Sequence, residues 1–254
     1  ARNAIELGKT AVDAVINEVA VAGAFDRIFA WEIGNEFRAL TPEANVALEN
    51  FVCAMRDHLK SRMSAPGREA FSKWVTWASW VQNDPLRTVG NRVLPACLDY
   101  VSYNAYSYDP ERMRDHQAGP VTGTPYAGYL AALKEQYPNV PLVISESGLP
   151  NSPSAATTGD QHKVPPMAPA YRYGGLTGEQ VAEGLADRYW DARLSGAVAG
   201  FGLFEWNDEW HKSGDPTRQA DHPEEHFGLV RFAGSPLRAR FKLHQESVRS
   251  LFTM

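Results

Sequence analysis

No apolar run in the 254-residue chain reaches about 18 residues, the length a spanning helix needs, so no membrane segment is expected. Basic residues do not outnumber acidic ones: 25 Lys and Arg against 30 Asp and Glu leave a net charge of −5. That balance argues against a nucleic-acid partner, which requires a basic patch. Cysteine is scarce, with only Cys53 and Cys97. Cys53 falls on a helical pattern and Cys97 just before a strand, so both read as buried thiols rather than as a disulfide. No His-Glu-x-x-His motif occurs. His222 and His226 lie four apart around Pro223-Glu224-Glu225, and the proline and loop context disfavour zinc. Gly174-Gly175 reads as a turn rather than a phosphate loop. No metal and no cofactor is therefore expected. The N-terminal Ala1-Arg2-Asn3 has no Met and no signal-peptide core, which leaves the compartment open.

What is present is an ordinary globular composition, 44% hydrophobic and 22% charged, sufficient for a sizeable core. Val12, Val15, Ile16 and Val19 predict a helix over 4–21. A buried strand follows at 27–34. Thr41-Pro42 supplies an N-cap and a first-turn proline. The next helix shows one apolar face (Leu48, Phe51, Val52, Met55, Leu59) and ends near Ser61. Trp74–Ser79 and Leu98–Tyr106 read as strands. Tyr126, Tyr129, Leu130, Leu133 and Tyr137 mark a helix stopped by Pro138, and residues 141–146 form a fourth strand. Thr177 with Gln180 is a capping-box pattern for a helix carried on by Val181, Leu185 and Tyr189. Val198–Trp206 is a fifth strand, and Leu237, Phe241, Val248, Leu251 and Phe252 suit a closing helix. Strands alternating with helices, apolar on both faces, predict an α/β fold with a parallel sheet covered by helices. Two long irregular segments, 148–176 and 207–235, follow strands and are expected to shape a site.

The chemistry concentrates in two glutamates at strand ends, Glu36 in Trp31-Glu32-Ile33-Gly34-Asn35-Glu36 and Glu146 in Val143-Ile144-Ser145-Glu146, 110 residues apart. Two carboxylates so presented are what acid/base and nucleophilic work on a glycosidic bond requires.

Five segments together resemble the barrel strands of clan A glycoside hydrolases, with family 2-like catalytic domains as the nearest flavour. Trp31–Glu36 resembles the fourth strand, whose terminal Asn-Glu carries the acid/base. Val75–Ser79 resembles the fifth, and Asp99–Tyr106 the sixth, where a Tyr bonds the nucleophile. Val143–Glu146 resembles the seventh, which carries the nucleophile, and Phe201–Trp206 the eighth, which ends in a Trp beneath the sugar. The resemblance implies a partial (β/α)8 barrel with about five strand–helix units, strands 4–8. A complete barrel needs roughly 250 residues, and three earlier units would take about 90. The fourth strand here begins near residue 27. The expectation is therefore one domain over 1–254, the C-terminal five-eighths of a barrel with strands 1–3 absent. Its open edges invite self-association or pairing with the missing N-terminal half.

The resemblance further implies a retaining β-glycoside hydrolase acting on a β-linked glucan or oligosaccharide. Glu36 would be the acid/base, and its proton must stay on near working pH, which partial burial or a nearby carboxylate provides. Glu146 would attack the anomeric carbon, and retention places the two carboxyls roughly 5–5.5 Å apart. Asn35 would bond the sugar 2-hydroxyl. Tyr106 would donate to Glu146, with Tyr100, Tyr103 and Tyr108 as rivals. Trp206 would offer an apolar face to the sugar, and Trp80 is a second platform candidate. Asp208 and Glu209 could bind sugar hydroxyls or brace their own loop. Trp74 and Trp77 read as packing. The alternatives are a transglycosylase using the same carboxylates and a non-catalytic carbohydrate-binding barrel fragment.

Overall fold

The computed structural model describes residues 2–37, 41–79, 97–107, 124–154, 172–233, 238–242 and 248–250. Its first helix, α1, runs Arg2–Val21, and β1 runs Trp31–Asn35. Then come α2 (Pro42–Met63), β2 (Val75–Ser79), β3 (Val101–Asn104) and α3 (Pro125–Gln136). The strand β4 (Leu142–Glu146), the helix α4 (Gly178–Ser195) and the short strand β5 (Gly200–Phe201) follow. A hairpin of β6 (Val230–Ala233) and β7 (Arg238–Phe241) closes the described chain but for residues 248–250. The main sheet takes the order β1-β2-β3-β4-β5. Sequence-consecutive strands neighbour each other, with α2, α3 and α4 described between β1 and β2, β3 and β4, and β4 and β5, the α/β pattern the alternation predicted.

Contacts divide the chain into two compact units, residues 1–104 with 136–143 and residues 105–135 with 144–254. In the first, β1 pairs with β2 and β2 with β3, both parallel. Pairing of β1 with β2 slips between Glu32 and Asn35, where three steps on β1 match two on β2. Such a bulge bends the strand and re-aims the side chains after it. Ile16, Phe25, Trp31, Leu59, Met63 and Val75 form the core, so α1 and α2 cover the β1–β2 surface. Every residue of β2 and β3 is buried, as expected of strands covered on both faces.

The two cysteines depart from expectation. Cys53 and Cys97 form a disulfide, with Cα atoms 5.8 Å apart, inside the range a bridge permits. Asp99 explains the approach. One of its carboxylate oxygens takes Lys60 Nζ from α2 at 2.5 Å, and the other takes the Val75 amide at 2.8 Å. The turn before β3 is thereby drawn onto α2, which carries Cys53.

In the second unit, Ala105 N donates to Glu146 O at 2.9 Å, and Gly202 N to Ile144 O at 2.7 Å. Ser147 N then donates to Gly202 O and Phe204 N to Ser147 O, advancing along both segments together, as parallel pairing does. The approach is close enough that a Cβ on Gly202 would strike the Ser145 carbonyl, and one on Gly148 the Phe204 carbonyl. Thr177 and Gln180 complete the capping box of α4, which ends on Gly196 in the left-handed region. Leu149, Leu176, Val181, Leu185 and Val248 make this unit's core.

Two boundaries differ from the sequence reading. The predicted strand 198–206 keeps ladder geometry only at Gly200–Phe201. Beyond Phe204 the backbone turns to other partners, with Leu229 N donating to Glu205 O and Val230 N to Trp206 O. Of the closing helix expected over Leu237 to Phe252, the part at Arg238–Phe241 is instead β7, paired antiparallel with β6 in the register Val230↔Phe241 and Phe232↔Ala239, while residues 248–250 are helical.

Candidate active site

The first unit holds an amide–carboxylate group at the end of β1. Glu36 sits immediately beyond the bulge with φ 52°, the one non-glycine residue at positive φ among the described residues. A non-glycine residue held there costs about 1–3 kcal/mol, and such strain clusters at functional sites. Its amide is anchored to Ala78 O at 3.0 Å. Asn104, fully buried at the end of β3, donates from Nδ2 to Glu36 Oε1 at 2.8 Å and to Asn35 Oδ1 at 2.9 Å. Asn104 falls inside the Asp99–Tyr106 segment expected as a strand, and the sequence alone assigns it no role. An Asn inside an apolar strand carries a signal only as a buried polar group in need of partners. Trp77 is buried and its ring lies 5.7 Å from that of Phe37. Trp74 is half exposed and meets Phe29 edge-on.

The second unit holds Glu146, the last residue of β4. Tyr106 Oη donates to its Oε2 at 2.7 Å, within the range of a charge-assisted O–H···O bond. The Tyr106 ring is set by edge-on contacts to Phe204 at 6.2 Å and Phe227 at 5.9 Å. Below it, Tyr126 of α3 donates to Ala105 O at 2.9 Å and pins the backbone before Tyr106. Of the rival tyrosines, Tyr100 and Tyr103 are buried in the first unit. Tyr108 and the platform candidate Trp80 lie outside the described residues.

Glu205 stands out electrostatically, and nothing in the sequence marks it beside the more conspicuous Trp206. Burial pushes its carboxyl up to about 8, and the charges of Glu209, Asp208 and Glu146 add to the rise while Lys212 opposes it. Near neutral pH, Glu205 is therefore a neutral acid in the electrostatic environment of Glu146.

The remaining candidates are placed as follows. Trp206 is 63% exposed and packs edge-on against Phe241 at 6.0 Å. Glu209 pairs with Lys212 at 3.2 Å. Asp208 is buried, and both its oxygens are engaged. Oδ1 accepts from Lys242 Nζ at 2.6 Å and from Gly228 N at 3.0 Å, and Oδ2 from Gln219 Nε2 at 2.9 Å. That is the loop-bracing arrangement. Burial lowers the Lys242 ammonium, an effect the Asp208 charge opposes. The pair floors a polar cavity of about 290 Å³ that Asn151, His226 and Arg231 also line. His222 caps the 3-10 turn Pro223–Glu225, and His226 Nε2 bonds Ala220 O at 2.8 Å. Among the described residues no cluster of three His, Cys, Asp or Glu side chains could hold a metal ion.

No family model matches the chain, and no curated protein matches it. Solved structures do. A β-glucuronidase from an uncultured Clostridium species is similar with TM-score 0.60 and 13% identity, over 98% of this chain and 36% of that one. The Faecalibacterium prausnitzii β-glucuronidase gives TM-score 0.57 and 12% identity over 98% and 35%. The Bifidobacterium dentium enzyme, solved with coumarin-3-O-glucuronide, gives 0.55 and 12% over 88% and 30%. The fold is that of a partial (β/α)8 barrel. The chain spans about a third of the length of these structures, and at such identities the likeness is one of fold.

Proposed function

We propose that the chain carries the carboxylates of a retaining β-glycoside hydrolase of clan A, of family 2 type, acting on a β-linked glucan or oligosaccharide. The observation that carries the reading is the Tyr106–Glu146 hydrogen bond at the C-terminal end of a parallel strand, the end at which barrel enzymes place their chemistry. A phenol donating to a carboxylate favours its ionised form and fixes its direction. Glu205 adds to this, because a neutral neighbour spares Glu146 a second negative charge.

In the proposed reaction, Glu146 attacks the anomeric carbon as the glycosidic C–O bond breaks, and Glu36 gives its proton to the departing oxygen. Glu36, now a carboxylate, takes a proton from water. The water oxygen displaces Glu146 from the anomeric carbon, and configuration is retained through two inversions. Asn35 holds a sugar hydroxyl, and Trp206 offers its exposed ring to a sugar face.

The test is turnover of a panel of aryl β-glycosides, glucosides and glucuronides included, by the chain and by Glu146→Gln. The variant should bind oligosaccharide and fail to cleave, and unchanged turnover contradicts the assignment. Product analysis at high acceptor concentration separates hydrolysis from transglycosylation.

A further inference from the structure

We propose that Asn104 is a positioning residue that decides which oxygen of Glu36 carries the reactive proton and which atom of Asn35 faces a substrate. The inference rests on the reading of Glu36 as acid/base. A primary amide nitrogen has two N–H bonds, and the structure spends one on Glu36 Oε1 at 2.8 Å and one on Asn35 Oδ1 at 2.9 Å. An oxygen that accepts an N–H serves as the carbonyl oxygen of a protonated carboxyl, since a hydroxyl oxygen is the poorer acceptor. The Glu36 proton therefore sits on Oε2, which has no hydrogen-bond partner among the described residues.

The same nitrogen consumes Asn35 Oδ1 and turns Asn35 Nδ2 outward. Asn35 thus meets a sugar as a donor, and the sugar hydroxyl accepts. Asn104 is fully buried, so water does not compete for its amide. The bulge before Asn35 and the positive φ at Glu36 bring the two side chains to one donor. The neighbouring strands β2 and β3 add no charged side chain, and Tyr103 is their one titratable group. The other carboxylate of β1, Glu32, accepts from Ser102 Oγ at 3.4 Å.

The experiment follows the Asn104 side-chain amide protons of the full chain by 1H–15N spectroscopy, assigned by their loss in Asn104→Asp. One of the two resonances should move as acid protonates Glu36. Glu36→Gln should stop that movement and leave the second resonance, held by Asn35, in place. An amide that ignores the titration, or that still responds in Glu36→Gln, overturns the proposal. Kinetics give the second arm. Asn104→Ala or Asn104→Ser should lower kcat/KM roughly ten- to a hundredfold on glycosides with poor leaving groups, part of the roughly 10²–10⁴-fold that general acid catalysis supplies. Activated aryl glycosides should be nearly unaffected. If Glu36→Ala collapses turnover while the Asn104 variants change neither substrate class, the proposal fails and the acid/base reading stands. If Glu36→Ala cleaves poor leaving groups normally, the acid/base reading fails, and the amide titration alone decides whether Asn104 orients the pair. Asn104→Asp is isosteric and serves where the smaller side chains do not fold.

Discussion

At the residue scale, Tyr106 and Glu205 both bear on Glu146, one by a hydrogen bond and one by staying neutral. Tyr106 contributes one charge-assisted hydrogen bond of 2.7 Å, worth about 1.5–3 kcal/mol. Tyr106→Phe should therefore lower kcat about 10- to 100-fold with little change in fold, measured by steady-state kinetics beside circular dichroism. Glu205 contributes a proton. Its folded value of about 8 lies above the ordinary carboxyl range near 4.5. The folded state accordingly holds a proton that the unfolded state has released between those values. The sign follows from linkage: stability is greatest below about 4.5 and declines as pH rises toward about 8. A melting-temperature series from pH 5 to 8 should fall in the wild type and flatten in Glu205→Gln. An identical slope in both would remove Glu205 as the cause. The strand-end placement of Glu36 and Glu146 was legible in the sequence because each ends an apolar run. The surroundings of Asn104 and Glu205 were not, because burial and neighbours are supplied only by folding.

At the element scale, local rules predicted some features and missed others. The Thr177–Gln180 box forms as its spacing implied, and Thr177→Ala should cost about 1 kcal/mol in denaturant unfolding. The hairpin was misread because Leu237 and Phe241 stand four apart, a helical interval, while Arg238-Ala239-Arg240-Phe241 alternates as a strand does. Pairing with Val230–Ala233 decides between them, and that partner is not local information. The disulfide was missed for a related reason. Cys53 and Cys97 are 44 residues apart, and nothing in their spacing announces that Asp99 ties one segment to the helix bearing the other. Closing a loop of that length stabilises by roughly 2–4 kcal/mol. Reduction, or the pair Cys53→Ala and Cys97→Ala, should lower the unfolding midpoint accordingly. Thiol titration of the unfolded, unreduced protein should find no free cysteine, and finding two would contradict the bridge.

At the scale of the whole molecule, strand–helix alternation was enough to predict a parallel α/β sheet, and similarity to glycosidase barrels agrees with it despite 12–13% identity. Such agreement at low identity is what binary patterning produces, since apolar strands and amphipathic helices determine the layers while individual residues drift. Chemistry is a separate matter, because one barrel supports many reactions through the residues at its strand ends. The central claim is therefore that Glu146 becomes covalently attached to sugar. The measurement that reaches it most directly is mass spectrometry of the chain after incubation with 2-deoxy-2-fluoro β-glycosides bearing activated leaving groups. The account predicts a single fluoroglycosyl adduct, mapped by proteolysis to the peptide containing Glu146 and absent in Glu146→Gln. An adduct on another residue, or turnover of the parent glycosides with no adduct at Glu146, would contradict it.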